Sequence, residues 1–248
     1  MTLQDFFKQH PEVAIAFSGG VDSTYLLYAA KKYAKKVCAY YVKSEFQPQF
    51  EYEDALKLVE TIGAELKVLL LEVLTVPNVK ENPFHRCYYC KRAIFTAITA
   101  AARADGFSVL LDGTNASDEE ADRPGMKALK ELQVLSPLRE CGLTKQVIRR
   151  LSKEAGLFTW DKPAYACLAT RIPTGEQITK EKLNATERAE DFLFSLGFTD
   201  FRVRSSGENA KLQLRESQLP LLMERRKEIL KKLKEYYKDI TLDLEVRE

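Results

Sequence analysis

Residues 12–35 read EVAIAFSGGVDSTYLLYAAKKYAK, and the fold is decided there. The mostly apolar run at 12–17 predicts a short buried strand, two glycines follow, and residues 21–35 carry the spacing of a helix. A strand that turns through Ser18-Gly19-Gly20-Val21-Asp22-Ser23 into a helix forms an anion cradle. The glycines let the backbone turn tightly, and the free N–H groups at the helix start point at whatever occupies the turn. Ser18 and Ser23 add hydroxyl donors. Asp22 has the wrong sign for a direct phosphate contact, so bridging through Mg²⁺ or capping the helix suits it better. The loop lacks the GxxxxGK[ST] pattern with its lysine, which excludes a Walker A site. A plain strand-to-helix turn is the bland alternative.

Working outward, strands are expected at 37–42, 66–73, 108–112 and 133–138. Helices are expected at 50–62, stopped by Gly63, at 89–104, and at 144–157, where Thr144 is the cap and Gly156 lies just past the end. Residues 75–86, with two prolines, read as a loop. Strands alternating with helices indicate parallel βαβ units and a doubly wound α/β sheet with helices on both faces. Such sheets bind ligands at the carboxyl ends of their strands. The SGGVDS loop and the DGTN string at 112–115 both fall at such ends. After Gly156 the pattern changes. Residues 158–176 are irregular, followed by a helix (180–196), strands near 200–204 and 210–215, a charged helix (217–237) and a last strand (240–246). This order is that of a smaller C-terminal α+β domain, so the expected division is 1–165 and 176–248.

The chain has 248 residues, 45% apolar and 30% charged, the balance of an ordinary globular protein. Its 38 basic and 36 acidic residues give a net charge of +2, so the global basic field of a nucleic-acid binder is absent. No apolar run approaches the ~20 residues of a membrane span, and the N-terminus lacks a signal-peptide pattern. A cytoplasmic protein is expected. The charge run from Glu224 to Lys238 reads as a solvated helix face.

Two histidines, His10 and His85, exclude a three-histidine zinc site by counting. Five cysteines, an odd number, argue against a disulfide framework. Cys87 and Cys90 form a CxxC at the start of a helix, where partial positive charge favours thiolate. Cys167 lies in the irregular string PAYACLATRIPTG. Three thiolates can hold an iron–sulfur cluster and leave one iron open. A redox pair from Cys87 and Cys90, or unreactive cysteines, are the other readings. Cys38 and Cys141 read as structural. Arg171, Arg202 and Arg204 suit an anionic ligand, because the guanidinium fork pairs bidentately with phosphate and carboxylate. Arg202 and Arg204 share one strand face.

The SGGVDS string after an apolar strand resembles the PP-loop ATP pyrophosphatases, of adenine nucleotide alpha hydrolase-like fold. This superfamily includes GMP synthetase, NAD synthetase, argininosuccinate synthetase and the tRNA thiolation enzymes. The resemblance implies cleavage of ATP between its α and β phosphates to leave an adenylated substrate. More specific are RCYYCK (86–91), DGTNASD (112–118) with DRPG (122–125), ACLATRIPTG (166–175) and RVR (202–204). Together they resemble the LarE-type ATP-dependent sulfur transferases over nearly the whole chain. Members thiolate pyridinium-3,5-biscarboxylic acid mononucleotide in nickel-pincer nucleotide cofactor synthesis. One form of the family sacrifices the sulfur of a single cysteine. The other has three cysteines and uses a [4Fe-4S] cluster, and this chain resembles the second.

The resemblance implies an ATP and Mg²⁺ site made of Ser18, Gly19, Gly20, Asp22, Ser23, Asp112, Thr114, Asn115 and Asp118, with Asp122 and Arg123 as neighbours. It implies a cluster held by Cys87, Cys90 and Cys167, which act in sulfur transfer, and substrate contacts from Arg171, Glu190, Arg202 and Arg204. A surface carboxylate is the competing reading of Glu190. Implied partners are a small-molecule nucleotide substrate and a sulfide source, with neither membrane nor nucleic acid. The small domain is expected to contribute to substrate binding and homo-oligomerisation. The rivals are a tRNA thiolase and a non-catalytic nucleotide- or metal-binding module.

Overall fold

Side chains of alternate residues leave a strand on opposite faces, and the central strands of this protein bury both. Val13 and Ile15 of β1 (Glu12–Ala16) join one apolar cluster with Leu26, Leu27 and Leu58. Ala14 joins the other, with Phe95, Ile98 and Leu110. The same alternation runs along β2 (Lys36–Lys43), with Ala39 and Tyr41 on the first face and Cys38, Tyr40 and Val42 on the second. A strand buried on both faces belongs inside a parallel sheet covered by two helical layers.

A computed structural model describes residues 1–118 and 124–247. Asp122 and Arg123 of the DRPG string lie outside the described residues. The chain divides into two compact units, Met1–Val76 with His85–Lys162, and Pro77–Phe84 with Pro163–Glu248.

In the first unit, β3 (Glu65–Leu70) and β4 (Leu110–Leu111) complete an all-parallel sheet of order β3-β2-β1-β4. Its helices are α1 (Leu3–Gln9), α2 (Val21–Tyr33), α3 (Gln49–Ile62), α4 (Arg86–Ala104), α5 (Pro124–Glu131), α6 (Pro137–Glu140) and α7 (Lys145–Glu154). The chain leaves β1 toward β2 on one side, while β4 lies on the other. The topological switch point, where ligands of such sheets bind, therefore falls between β1 and β4.

The expected strand at 133–138 is reduced to a single bridge, Leu135 beside Leu111. Pro137 has no N–H to continue the ladder and instead opens α6. The strand expected at 108–112 shortens to β4. Helices α1 and α5 were not expected. The first is set by a capping box between Thr2 and Asp5 and buries Phe6 and Phe7.

In the second unit, α8 (Lys180–Ser195) and α9 (Leu219–Leu233) cover one face of a sheet of β5 (Arg202–Ser206), β6 (Asn209–Gln213) and β7 (Asp239–Leu242). Strands β5 and β6 are antiparallel, β6 and β7 parallel. Val203, Ala210 and Leu212 enter a core with Leu193, Ile229 and Leu233. Residues 77–84 belong to this unit: Gly175 N–H donates to Asn82 O (2.8 Å), and Ile178 N–H to Lys80 O (2.7 Å).

Candidate functional site

The phosphate loop closes on itself through its two serines. Ser18 Oγ and Ser23 Oγ are 3.0 Å apart, Ser18 N–H donates to Ser23 Oγ, and Ser23 Oγ donates to Gly20 O. Gly20 is the N-cap of α2. Gly19 has φ +73°, and a Cβ there would lie 3.3 Å from that of Ala55, so the turn needs glycine twice over.

The DGTNASD turn after β4 is equally braced. Ser136 Oγ donates to Asp112 Oδ1 (2.6 Å), and Thr114 Oγ1 donates to Asp112 Oδ2. Asn115 N–H donates to Asp118 Oδ2 (3.0 Å), and Ser117 N–H to Asn115 Oδ1 (2.8 Å). Gly113 brings this turn against the phosphate loop: a Cβ on it would stand 2.9 Å from Ser23 N. Helix α7 ties the two together. Lys145 N–H donates to Ser117 Oγ, and its Nζ pairs with Asp22 Oδ2 at 2.6 Å.

Between the two turns lies a cavity of about 310 Å³. Of the expected nucleotide residues, Ser18, Gly20, Asp22, Ser23, Asp112, Thr114 and Asp118 line it. Gly19 and Asn115 stand behind, shaping the turns. Lys91 also lines it, one residue past the CxxC on α4, and the sequence reading had not assigned it a role. Asp22, Asp112 and Asp118 share this cavity with Lys91, and Lys145 pairs with Asp22. Burial raises the Asp22 carboxyl above its ordinary range; the Lys145 pair opposes this and the Asp118 charge adds to it. Two such carboxylates completed by nucleotide phosphates fit Mg²⁺, which favours this arrangement over an all-protein cage.

In the second unit Arg171 and Glu190 form an ion pair at 2.7 Å, each 1% exposed. The sequence reading cast Arg171 as a fork for the ligand and left Glu190 open to a surface role. The structure places both in the interior. Arg171 Nε and Nη2 donate to Glu190, and its Nη1 donates to Ala166 O and Thr170 Oγ1. Burial pulls the Arg171 pKa down, but the Glu190 pair more than offsets it, and the net shift is upward. Glu190 also accepts from Tyr165 Oη and from Val203 N–H (2.9 Å), the residue between Arg202 and Arg204. Arg204 donates to Gln213 Oε1 (2.9 Å) and to Thr170 O.

These bonds fix the 166–171 turn, and Cys167 sits in it as the N-cap of a short 3-10 helix, Leu168–Arg171, accepting at its carbonyl from Thr170 N–H. Cys167 is half-buried. Burial, then the charges of Arg247, Arg171 and Arg204, lowers the pKa of Arg202. Arg204 shifts the same way for like reasons.

Cys87 and Cys90 lie in the first turns of α4, the former exposed and the latter buried. Within neither unit do three Cys, His, Asp or Glu side chains group to hold a metal ion among the described residues. Cys38 lies in the core of β2, its thiol pushed up to about 11 by burial and by the nearby Glu65 charge. Burial raises Cys141 as well. No helix among the described residues is long and apolar enough to cross a membrane.

Comparison with known proteins finds a family model described as the PP-loop domain matching residues 1–121. An uncharacterized protein of Synechocystis sp. is 37% identical over 88% of this chain and 81% of that protein. The pyridinium-3,5-bisthiocarboxylic acid mononucleotide synthase of Lactiplantibacillus plantarum is 33% identical over 88% of this chain and 80% of that enzyme. A tRNA-specific 2-thiouridylase of Thermotoga maritima is 25% identical over 59% of this chain and 52% of its own length.

Proposed function

This chain belongs to the LarE-type ATP-dependent sulfur transferases of the PP-loop superfamily, and on that premise we propose that it thiolates pyridinium-3,5-biscarboxylic acid mononucleotide in nickel-pincer nucleotide synthesis. One observation carries the reading: Cys167 is held in a turn braced by Arg171, Glu190 and Arg204, so a sulfur-bearing residue and an arginine-bearing strand share one hydrogen-bonded cluster. The proposal includes a sulfide source, a homo-oligomer and a cytoplasmic setting, and no nucleic-acid partner. The likeness to the tRNA thiouridylase stops at little more than half of the chain.

ATP is assigned to the cavity between the SGGVDS loop and the DGTNASD turn. Loop N–H groups and the hydroxyls of Ser18 and Ser23 would bind phosphate oxygens, Asp22 and Asp118 would hold Mg²⁺, and Lys91 would neutralise charge on the departing pyrophosphate. A substrate carboxylate oxygen attacks the α-phosphorus, and the bond to the bridging β-phosphate oxygen breaks. The acyl-adenylate carbon then accepts sulfur, and its bond to AMP breaks. Activation is needed because a carboxylate oxygen is a poor leaving group and AMP a good one.

For the sulfur, three thiols fit the donor set of a [4Fe-4S] cluster, two of them on the first turns of α4. Cys87, Cys90 and Cys167 would hold it, and such a cluster, when bound, supplies an iron open to an extra sulfide.

Anaerobic purification with iron, sulfide and pyrophosphate assays tests the scheme. About four irons per chain, lost in Cys167→Ala while pyrophosphate release continues, is the expected result. Loss of pyrophosphate release in all three cysteine variants would refute the division between ATP activation and sulfur transfer. Iron-free protein that loses H₂S from Cys167 during turnover, leaving dehydroalanine, would replace the cluster by a sacrificial cysteine.

A further inference from the structure

Lys145 meets the DGTNASD turn and the phosphate loop with different atoms. It opens α7 directly after the Thr144 cap, and no acidic side chain accompanies it in that first turn. A cation at the start of a helix opposes the helix dipole, so the helix itself gives no reason for a lysine there. Its contacts do. The backbone N–H donates to Ser117 Oγ (3.0 Å), and Nζ donates to Asp22 Oδ2 (2.6 Å).

The carboxylates of the cavity differ in which oxygens are taken. Asp112 accepts at both, from Ser136 Oγ at Oδ1 (2.6 Å) and from Thr114 Oγ1 at Oδ2. Asp118 accepts Asn115 N–H at Oδ2 (3.0 Å). Asp22 accepts Lys145 at Oδ2, while its Oδ1 is buried and has no hydrogen-bond partner among the described residues. Nor does Asp22 cap α2, whose N-cap is Gly20. A buried carboxylate oxygen without a donor is costly, and a cation bound beside the nucleotide phosphates would complete it.

We propose that Lys145 is a positioning residue that selects the metal. By occupying Oδ2 it leaves Asp22 only Oδ1 to give, and so makes Asp22 a one-oxygen ligand suited to Mg²⁺ rather than Ca²⁺. Mg²⁺ demands a near-ideal octahedron and is held through one or two carboxylates, with waters and phosphates completing the shell. Ca²⁺ takes more oxygens in a looser geometry and accepts both oxygens of one carboxylate. With Lys145 on Oδ2, that second oxygen is withheld. The inference rests on the ATP and Mg²⁺ site proposed above between the two turns.

The probe is Mn²⁺ bound to the full-length protein together with α,β-methylene-ATP, whose α–β linkage resists cleavage. Mn²⁺ is followed by paramagnetic resonance while Mg²⁺ or Ca²⁺ displaces it. Lys145→Met keeps the backbone bond to Ser117 and most of the side chain's length but removes the ammonium. The Ca²⁺ midpoint should then fall about tenfold relative to the Mg²⁺ midpoint, because the number of ligand oxygens tunes calcium affinity over decades. Ca²⁺ should also become a stronger inhibitor of Mg²⁺-dependent pyrophosphate release. Lys145→Ala should move the ratio the same way and supplies the measurement if the methionine variant does not fold. Loss of a charge alone strengthens both cations, and a disturbed turn weakens both. An unchanged Mg²⁺ to Ca²⁺ ratio in the two variants would therefore overturn the role of Lys145 while leaving the ATP site standing. Asp22→Asn should weaken Mn²⁺ binding; unaltered binding there would remove Asp22 as a ligand, and with it this part of the proposed ATP site.

Discussion

The pair of Arg171 and Glu190 shows most directly what a residue's surroundings add to its type. An arginine in ACLATRIPTG suggests a fork offered to a ligand. In the folded chain that fork is buried, and its donors hold Glu190, Ala166 O and Thr170. A buried ion pair adds little net stability, but breaking one leaves a charge without compensation. Glu190→Ala should therefore cost about 3–5 kcal/mol, measured by urea denaturation. Replacing both residues together by apolar side chains of similar volume should recover much of that loss. If the single variant is as stable as the parent, the pair is not as buried as described. The sequence could not rank Glu190 as buried or exposed. It lies in a charged helix, and the residues that enclose it, Tyr165, Arg171 and Val203, come from elsewhere in the chain.

At the scale of elements, local signals and tertiary ones separate clearly. Helix α7 begins where expected because its cap is local: Thr144 Oγ1 accepts from Val147 N–H. The phosphate loop was legible for the same reason, with strand, glycines and helix start all within a dozen residues. The strand at 133–138 was not, because its apolar pattern was overruled by the missing N–H of Pro137. Nor could spacing say that two loops touch. Gly113 is the point where they do, and a Cβ there would come closer to Ser23 N than real contacts allow. Gly113→Ala should push the DGTNASD turn off the phosphate loop, raising the KM for ATP tenfold or more in a pyrophosphate-release assay. The stability cost should be about 1–3 kcal/mol, that of modest overpacking. A normal KM would mean that the two turns do not form one ATP site. Lys91 is another such case, a side chain next to the CxxC whose position in the cavity depends on how α4 packs.

For the whole molecule, residues 77–84 are the unexpected part. They leave the first unit, join the second, and return before α4. Asn82 is buried, at φ +51°, and its Nδ2 donates to Ile172 O and Pro173 O (3.2 and 2.8 Å). Asn82→Ala leaves both carbonyls without this donor and should destabilise the second unit by about 1–3 kcal/mol, read from its own unfolding transition. An unaltered transition would show that the segment is not part of that unit's fold. From its sequence alone the protein declares a strand–loop–helix phosphate cradle, alternating α/β order, a smaller α+β unit and the cysteine inventory. These features rest on capping, on glycine turns and on periodicity within a few residues. Only the tertiary structure decides the strand order β3-β2-β1-β4, the meeting of Gly113 with Ser23, the burial of Arg171 on Glu190 and the transfer of residues 77–84. Each of these joins positions far apart in the chain, and no signal confined to a few neighbouring residues says which distant partner will be there.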